Sequence, residues 1–412
     1  MNAVILAIGD ELTSGQAVDT NSAYLAVQLA AKGIATLEHI TVGDDRRAIA
    51  DALAVAATKA QVVIVTGGLG PTADDLTRFA VADLLGGAEM QLHAPSLEAI
   101  QRFFDKIGRV MVESNKVQAM FPVGAEVLPN EAGTAPGLTV RLGDCDIYVT
   151  PGVPREMKWM YHTLIEPRLP QQEGAITYSI VHTFGAGESD VGTAIGDLMQ
   201  RGANPTVGTT VAAGMVSVRI ISRAATHEQA CGRARAVADE VRHRLGDLVV
   251  GEGDDTLAVV VGRLLRERGQ TLATAESCTG GMIGEMLTAV AGASHYYLGG
   301  VVSYANSVKQ ELLGVGEDLL IAHGAVSEPV AGAMAAGVRQ RTGSDWAISI
   351  TGIAGPGGGT EAKPVGTVCI GLARPDGTVE THRHVFPGDR NVLRLRSSLA
   401  AMNYLRLAIL RG

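Results

Sequence analysis

The chain has 412 residues, 46% of them hydrophobic, and a formal net charge of −9. This length suits two or three domains, and the negative charge argues against sequence-independent binding of nucleic acid, which needs clustered Lys and Arg. The four cysteines are scattered without a Cys-x-x-Cys pair, so the sequence supports neither a disulfide framework nor a zinc ribbon. The first residues resemble a strand and not a signal peptide, and no apolar stretch is long enough to cross a bilayer. We therefore expect a soluble, cytoplasmic protein without a membrane partner.

Short apolar runs alternate with longer amphipathic ones over the first 170 residues. This alternation predicts strands and helices in turn, and hence βαβ units around a mostly parallel sheet. The predicted strands are Val4–Ile8, Ala35–Val42, Gln61–Thr66, Gly137–Leu142 and Cys145–Thr150, and the predicted helices are Asn21–Ala31, Arg46–Lys59 and Pro154–Ile165.

The chain turns polar around Pro170–Gly174, and the pattern of apolar and polar residues then changes. Residues 176–250 predict a small α+β unit, and Gly251–Asp255 resembles a linker. The predicted strands here are Thr177–Thr183, Met215–Ser222 and Leu248–Val250, and the predicted helices are Ser189–Met199 and His227–Leu245. We therefore predict three domains, at residues 1–170, 171–252 and 253–412.

The last part again predicts an α/β domain, which closes with a hairpin and a long helix. Its predicted strands are Thr271–Ala275, Gly300–Tyr304, Trp346–Ile350, Gly366–Leu372 and Val379–Phe386, and its predicted helices are Thr256–Arg268, Cys278–Ala289, Ser307–Leu313, Pro329–Thr342 and Val392–Leu410.

Ser277 follows the first of these strands and would lie at the N-terminus of the next helix. Backbone N–H groups and the helix dipole favour an oxyanion there, and Gly280 and Gly281 leave room for a substrate. The position suits a nucleophile, but a serine can also simply cap the helix. Cys278 is a rival nucleophile, although consecutive residues at a helix start point in different directions.

Tyr304 lies at the end of a predicted strand, and Lys309 follows it five residues later. Because strand ends gather at one edge of an open α/β sheet, this lysine could serve as the base for Ser277 in a Ser–Lys arrangement, provided it is desolvated. The alternative is an ordinary solvated lysine on a helix.

Two further segments could hold a phosphate. Thr351 and Gly352 begin a Gly-rich loop that could offer N–H groups and a hydroxyl, or could form only a turn. Arg390 precedes the last helix and is either a phosphate ligand or a partner in a salt bridge at the helix start.

The motifs ESCTGG, GGVVSY with Lys309, AVSEPV, SITGIAGP and FPGDR occur in this order. The set resembles the C-terminal domain of the CinA family, an amidase that converts nicotinamide mononucleotide (NMN) to nicotinate mononucleotide and ammonia without a cofactor. The resemblance implies that Ser277 is the nucleophile, that Lys309 is its base and that Tyr304 relays or orients the proton. The implied substrate-binding residues are Thr351, Gly352, Arg390, Gly280 and Gly281.

A Gly-rich turn also follows the buried strand Gln61–Thr66. Gly67, Gly68 and Gly70 allow a phosphate to approach the backbone closely, and the following helix start favours its charge. Asp74 and Asp75 would repel a phosphate unless a cation lies between them, which suggests a site for Mg²⁺ or a similar divalent metal. Alternatively, the two carboxylates only complement the helix dipole.

This turn occurs with the motifs Gly9–Leu12, Asp19–Asn21, Asn115-Lys116, Gly133–Gly137 and Pro151–Met157. Together they resemble the CinA N-terminal domain, which is similar to molybdopterin-binding domains and has a three-layer α/β fold. The resemblance implies metal-dependent hydrolysis of ADP-ribose to AMP and ribose 5-phosphate. It adds Asp10 to the metal candidates and Thr72, Asn21, Asn115, Lys116 and Glu156 to the substrate-binding candidates.

The middle segment resembles the KH-like module of full-length CinA proteins. It has no Gly-x-x-Gly loop and its charges balance, so we interpret it as a spacer or dimerisation module of a homodimer and not as an RNA-binding domain. The resemblance implies a bifunctional salvage enzyme. Two alternatives stay open: a molybdopterin-binding protein with an appended amidase, and a competence or DNA-repair factor that acts by binding.

Overall fold

Alternating side chains of the buried strands pack on opposite faces of the two larger sheets, so each of these sheets forms a hydrophobic core on both of its faces. The computed structural model describes residues 1–170, 174–212 and 214–412. It contains two compact units, residues 1–177 with 222–232 and residues 178–221 with 233–412. The predicted boundary between residues 170 and 171 falls at a stretch outside the described residues.

The first unit is built on strands and helices that follow the predicted alternation. Its strands are β1 Asn2–Ile8, β2 Ala35–Val42, β3 Val62–Thr66, β4 Met90–Leu92, β5 Met120–Pro122, β6 Glu126–Leu128, β7 Gly137–Leu142 and β8 Cys145–Thr150. Its helices are α1 Asp10–Thr13, α2 Thr20–Ala31, α3 Arg46–Lys59, α4 Thr77–Leu84, α5 Ala94–Lys106 and α6 Pro154–Met160, with 3-10 turns at Glu113–Ala119 and Glu166–Arg168 and a π turn at Tyr161–Ile165.

Six of these strands form one sheet in the order β2-β1-β3-β8-β7-β6. The pairs among β2, β1, β3 and β8 are parallel, and β7 and β6 add antiparallel edges. Val4 and Leu6 pack with Leu53 of α3 on one face. Ile5 packs with Leu25 of α2 on the other. Helices therefore cover both faces, as the predicted three-layer α/β domain requires.

A four-stranded sheet in the order β10-β11-β9-β12 packs on a long helix, and most of its residues belong to the second unit. Its elements are β9 Ala175–Phe184, α7 Glu188–Ile195, β10 Thr206–Ala212, β11 Met215–Ala224, α8 His227–Leu245 and β12 Val249–Glu252, with 3-10 turns at Gly196–Leu198 and Gly246–Leu248.

The remainder of this unit is a five-stranded sheet in the order β14-β13-β15-β16-β17. The pairs of β13 with β14 and β15 are parallel, and β16 and β17 form the predicted antiparallel hairpin. The strands are β13 Leu272–Glu276, β14 Tyr297–Val302, β15 Trp346–Gly352, β16 Thr367–Ala373 and β17 Val379–Val385, and the helices are α9 Leu257–Arg268, α10 Met282–Thr288, α11 Asn306–Leu313, α12 Glu317–His323, α13 Glu328–Thr342 and α14 Arg390–Arg411, with a 3-10 turn at Ala293–His295.

The prediction of a helix that starts at Cys278 is wrong. Helix α10 begins at Met282, because Gly280 and Gly281 both have positive φ angles and hold the chain in a turn. Helix α6 also changes to a π turn at Tyr161, within the predicted helix. Throughout the described ranges, no helix combines the length and apolarity needed to cross a membrane.

Candidate functional site

Ser277 lies in the turn that joins β13 to α10, and the residue before it organises that turn. The buried carboxylate of Glu276 accepts hydrogen bonds from the backbone N–H groups of Gly281, Ile283 and Gly284, at 2.9–3.1 Å. These are donors at the start of α10. Contrary to the expectation from the sequence, they therefore satisfy Glu276 and do not face an oxyanion at Ser277.

The amine of Lys309 lies against the Ser277 hydroxyl. Lys309 Nζ is 3.2 Å from Ser277 Oγ and donates to the carbonyl oxygens of Ser303 and Tyr304 at 2.7 and 3.2 Å. The lysine is only 1% exposed, although α11 itself lies at the surface. Burial lowers the pKa of Lys309, and the nearby Cys278 opposes the shift. The solvated-lysine alternative does not describe this residue.

Tyr304 contacts this pair through its backbone and not through its hydroxyl. Its side chain is 63% exposed, and its hydroxyl accepts a hydrogen bond from Arg390 Nη2 at 3.2 Å. Arg390 Nη1 also donates to the Gly355 carbonyl at 2.8 Å. Tyr304 and Arg390 thus meet at the rim of the site, and the direct contact between Ser277 and Lys309 leaves no gap for a proton relay.

Thr351 and Gly352 pack beneath the site. The Thr351 hydroxyl is buried and donates its single proton to the Ala325 carbonyl at 2.8 Å, so it does not present a donor to a phosphate. A Cβ on Gly352 would lie 3.1 Å from Cys278 Sγ and 2.9 Å from the Thr367 carbonyl oxygen. The absence of a side chain at Gly352 therefore serves close packing.

Cys278 belongs to the hydrophobic core below the turn. Burial raises the pKa of its thiol to about 12, and the charge of Glu276 acts in the same direction. Because the thiolate is the reactive form of cysteine, this environment opposes a nucleophilic role for Cys278.

Arg394 is a site residue that the sequence reasoning missed. Its Nη2 and Nε donate to the Thr279 carbonyl at 2.7 and 3.3 Å. These bonds attach the turn that contains Ser277 to α14. Its position four residues after Arg390 was an available signal, because such residues share one face of a helix.

The Gly-rich turn of the first unit borders a cavity of about 410 Å³. Gly67, Gly68 and Gly70 line it, and each has little space for a side chain. A Cβ on Gly67 would lie 2.2 Å from the Ile8 carbonyl oxygen, and one on Gly68 would lie 2.0 Å from Thr77 Oγ1. The loop therefore presents bare backbone to the cavity, as a phosphate site requires.

Two charged side chains hold this loop from within. Asp75 accepts hydrogen bonds from the N–H groups of Gly70 and Thr72 and from the Thr72 hydroxyl. Arg78 is 0% exposed, donates to the Leu69 carbonyl at 2.6 Å and has its pKa lowered to about 10 by burial, an effect that Asp75 opposes. Asp75 and Thr72 thus stabilise the loop, and Arg78, which the sequence reasoning missed, places a positive charge beneath it.

The carboxylates around the cavity do not form a ready-made metal centre. Within the described ranges, no three His, Cys, Asp or Glu side chains gather closely enough to hold an ion. Asp10 Oδ1 accepts the Asp44 N–H, and Asp44 in turn accepts the Asp10 N–H. Burial and the charges of Asp10, Glu11 and Asp74 raise the pKa of Asp44, although its hydrogen bond from the Asp10 N–H opposes this shift. Mg²⁺ is usually held by one or two carboxylates with water and phosphate oxygens, so Asp74 and Glu11 on the cavity wall fit a metal that arrives with its ligand.

The remaining predicted residues of the first unit lie at varying distances from this cavity. Glu156 lines it, accepts from Asn130 at 2.6 Å and has a pKa raised by burial. Asn21 donates to the Thr66 hydroxyl and the Gly152 carbonyl and lines an adjacent smaller cavity. Asn115 is buried and donates to Gln118, which lines the main cavity. Lys116 pairs with Glu113 at 2.8 Å and is not among the lining residues.

Comparison with protein-family profiles divides the chain into three parts. Residues 4–171 match the family described as "Probable molybdopterin binding domain", residues 179–251 match the damage-inducible protein CinA KH domain, and residues 254–409 match the CinA C-terminal domain. The fold and the matched domains therefore define a multidomain α/β protein with a molybdopterin-binding-like domain, a KH module and a CinA-type C-terminal domain.

Relatives of this chain align with it over almost its full length. A CinA-like protein of Gloeothece citriformis is 43% identical over 100% of this chain and 99% of its own length. One from Anaeromyxobacter is 43% identical over 99% of each chain. The chain belongs to the CinA family, which confirms the resemblance noted in the sequence.

Solved structures also match. Competence/damage inducible protein CihA from Agrobacterium tumefaciens is 39% identical, with 37% of this chain and 93% of that chain covered and a TM-score of 0.36. A CinA superfamily protein from Klebsiella pneumoniae is 37% identical, with 38% and 97% covered and a TM-score of 0.37.

Proposed function

We propose that the C-terminal domain is a serine amidase that hydrolyses NMN to nicotinate mononucleotide and ammonia without a metal. The observation that carries this proposal is the buried contact between Lys309 Nζ and Ser277 Oγ. A lysine amine kept from water has a lowered pKa, so it can act as a general base at a lower pH than an exposed lysine. The choice of NMN as the substrate comes from the family resemblance.

In the proposed mechanism, the neutral amine of Lys309 takes the proton of Ser277 as Oγ attacks the carboxamide carbon. The resulting ammonium lies beside the tetrahedral intermediate and offsets its negative charge. It then returns the proton to the departing nitrogen, so that ammonia leaves and an acyl ester remains on Ser277. Water attacks the ester with Lys309 again as base, which releases the carboxylate and restores the serine.

Arg390 and Tyr304 form the rim where the ribose phosphate of the substrate would bind. A guanidinium suits a phosphate because its N–H donors match the oxygens in pairs. Arg390 now donates to an uncharged carbonyl and an uncharged hydroxyl, and a phosphate dianion would compete well for these donors.

Ammonia release from NMN, measured with and without a chelator, tests this proposal. We expect metal-independent release that Ser277→Ala lowers by at least about 10³-fold, as removal of a nucleophile does in other serine hydrolases. Cys278→Ala is the matched control and should retain most of the activity. Persistent deamidation by Ser277→Ala, or an equal loss in Cys278→Ala, would contradict the serine mechanism.

We propose as a second function that the N-terminal domain hydrolyses ADP-ribose to AMP and ribose 5-phosphate. The bare glycine backbone of the 67–70 loop, with the buried cation of Arg78 beneath it, supports the binding of a pyrophosphate. A divalent cation held by Asp74 and Glu11 together with the substrate would supply Lewis acidity. Asp75 and Arg78 would keep the loop amides in place.

AMP release from ADP-ribose, measured with Mg²⁺ and with EDTA, tests this second function. We expect release only with the metal, and a lower rate in Asp75→Ala because the loop loses its internal acceptor. The control is Asp51→Ala, an exposed carboxylate on α3. Absence of AMP with Mg²⁺ and with Mn²⁺ would favour a molybdopterin-binding role instead.

A further inference from the structure

The second unit contains a cavity of about 510 Å³ that none of the proposed catalytic residues lines. It lies between the end of β9, the end of β17 and the middle of α14. Its volume is in the range of small-molecule sites, about 300–1,000 Å³. We call it the aromatic cavity, after the side chains that form much of its wall: Phe184, His384, Phe386 and Tyr404.

The rings of the aromatic cavity are fixed by one another. His384 lies nearly parallel to Phe386, with centroids 5.1 Å apart, and its Nε2 is 2.7 Å from the Tyr404 hydroxyl. Tyr404 is also stacked on His382 at 3.7 Å. Ordered aromatic walls favour a planar ring, which can stack on them or meet their edges at little entropic cost.

Among the described residues, Arg396 is the one charged group of this wall that has no oppositely charged partner. Its guanidinium lies over the Phe386 ring at 5.8 Å, and it has no hydrogen bond or ion pair to the part of the chain that the structure describes. Asp247, on the same wall, is paired with Arg411 at 2.5 Å. Burial lowers the pKa of His384, as does His382, so the imidazole is neutral at neutral pH. Because Arg411 offsets the charge of Asp247, the positive charge of Arg396 is left over, and its unused N–H donors suit a phosphate.

Space for Arg396 depends on a glycine of the KH module. A Cβ on Gly214 would lie 2.8 Å from Arg396 Nε. Gly214 therefore approaches the guanidinium closely, and the two parts of the second unit together shape the cavity.

We propose that the aromatic cavity is a binding site for a nucleoside monophosphate, with its base against the Tyr404 and His384 rings and its phosphate on Arg396. This site is separate from the Ser277 site and from the Gly-rich loop of the first unit, and the proposal does not depend on either proposed activity.

Isothermal titration calorimetry of the full chain with AMP tests the proposal. Adenosine supplies the ring without the anion, and ribose 5-phosphate supplies the anion without the ring, so each should bind at least 10-fold more weakly than AMP. Arg396→Gln and Tyr404→Ala should each weaken AMP at least 10-fold. Arg263→Gln, an exposed arginine on α9 outside the cavity, should leave the affinity unchanged.

Two results would overturn the proposal. One is an AMP affinity that is the same in the wild type, Arg396→Gln and Tyr404→Ala, since AMP would then bind elsewhere on the chain. The other is no heat of binding at millimolar AMP. Tyr404→Phe keeps the ring and the packing on His382, so it should bind AMP within about threefold of the wild type and exclude misfolding as the cause of the Tyr404→Ala effect.

Discussion

In the proposed amidase, the protonation state of the Lys309 amine decides whether Ser277 can react. Only the neutral form of Lys309 can accept the serine proton, and burial lowers its pKa below the ordinary lysine value of 10.5. In the proposed mechanism, the charged amine below this pKa cannot accept the serine proton, and the neutral amine above it can. We therefore expect kcat/KM for NMN to rise with pH and to reach a plateau before pH 10.5.

A pH–rate profile with NMN as substrate checks this prediction. Lys309→Arg is the informative variant, because arginine stays charged throughout the accessible range, and its residual rate should not rise through the same inflection. A wild-type rate that falls with increasing pH would rule out Lys309 as the base.

At the scale of elements, the start of α10 depends on Glu276. In Glu276→Gln an NH₂ group would replace one carboxylate oxygen and face a backbone N–H group, so at least one buried donor loses its acceptor. Such a loss costs about 1–3 kcal/mol. We expect this decrease in the free energy of unfolding by urea denaturation. Glu285→Gln, an exposed glutamate on the same helix, is the control and should stay within about 0.5 kcal/mol of the wild type.

The Gly-rich loop of the first unit gives a second prediction at this scale. Gly67 combines a φ of 114° with a backbone oxygen 2.2 Å from the place of a Cβ. Gly67→Ala should therefore destabilise the first unit by more than Gly86→Ala, where φ is 80° but the space is open. Strain alone costs about 1–3 kcal/mol, and the steric clash adds to it. Equal thermal unfolding temperatures for the two variants would show that the loop relaxes freely.

Sequence patterns predicted the elements best where one physical signal dominated. The hairpin strands Gly137–Leu142 and Cys145–Thr150 and the helix His227–Leu245 have the predicted bounds, because apolar periodicity set them and a turn or a polar segment ended them. Helix Ala94–Lys106 was missed although Pro95 at its start and apolar residues three to four positions apart indicated it.

The parts of the sites that could not be predicted depend on tertiary contacts. The gathering of strand ends and the family motifs both paired Ser277 with Lys309, but no local signal in the sequence indicates that the Lys309 amine is buried. Glu276 accepts hydrogen bonds from the N–H groups at the start of α10, so they are not free to bind a ligand. The burial of Arg78 is contrary to the usual exposure of arginine. Both follow from what other segments place around these residues.

At the scale of the whole molecule, the two candidate sites belong to different compact units, each with its own sheet and core. No residue contributes to both. Ser277→Ala should therefore leave the rate of AMP release from ADP-ribose within about twofold of the wild type, and Asp75→Ala should leave ammonia release from NMN equally unchanged, since sites that share no residues usually behave additively. Parallel assays of the two variants check this. A joint loss of both activities would show that the units act as one.

The burial of Lys309 also gives the protein an internal reporter. An amine that is 1% exposed cannot be acylated by a water-soluble ester while the domain is folded, whereas Lys116, on the surface of the first unit, is open to the reagent. In a mass-spectrometric footprint, labelling of Lys309 would therefore measure how often α11 separates from the serine turn. The residue proposed to activate Ser277 would then also report, on the time scale of hours, local opening of the fold around it.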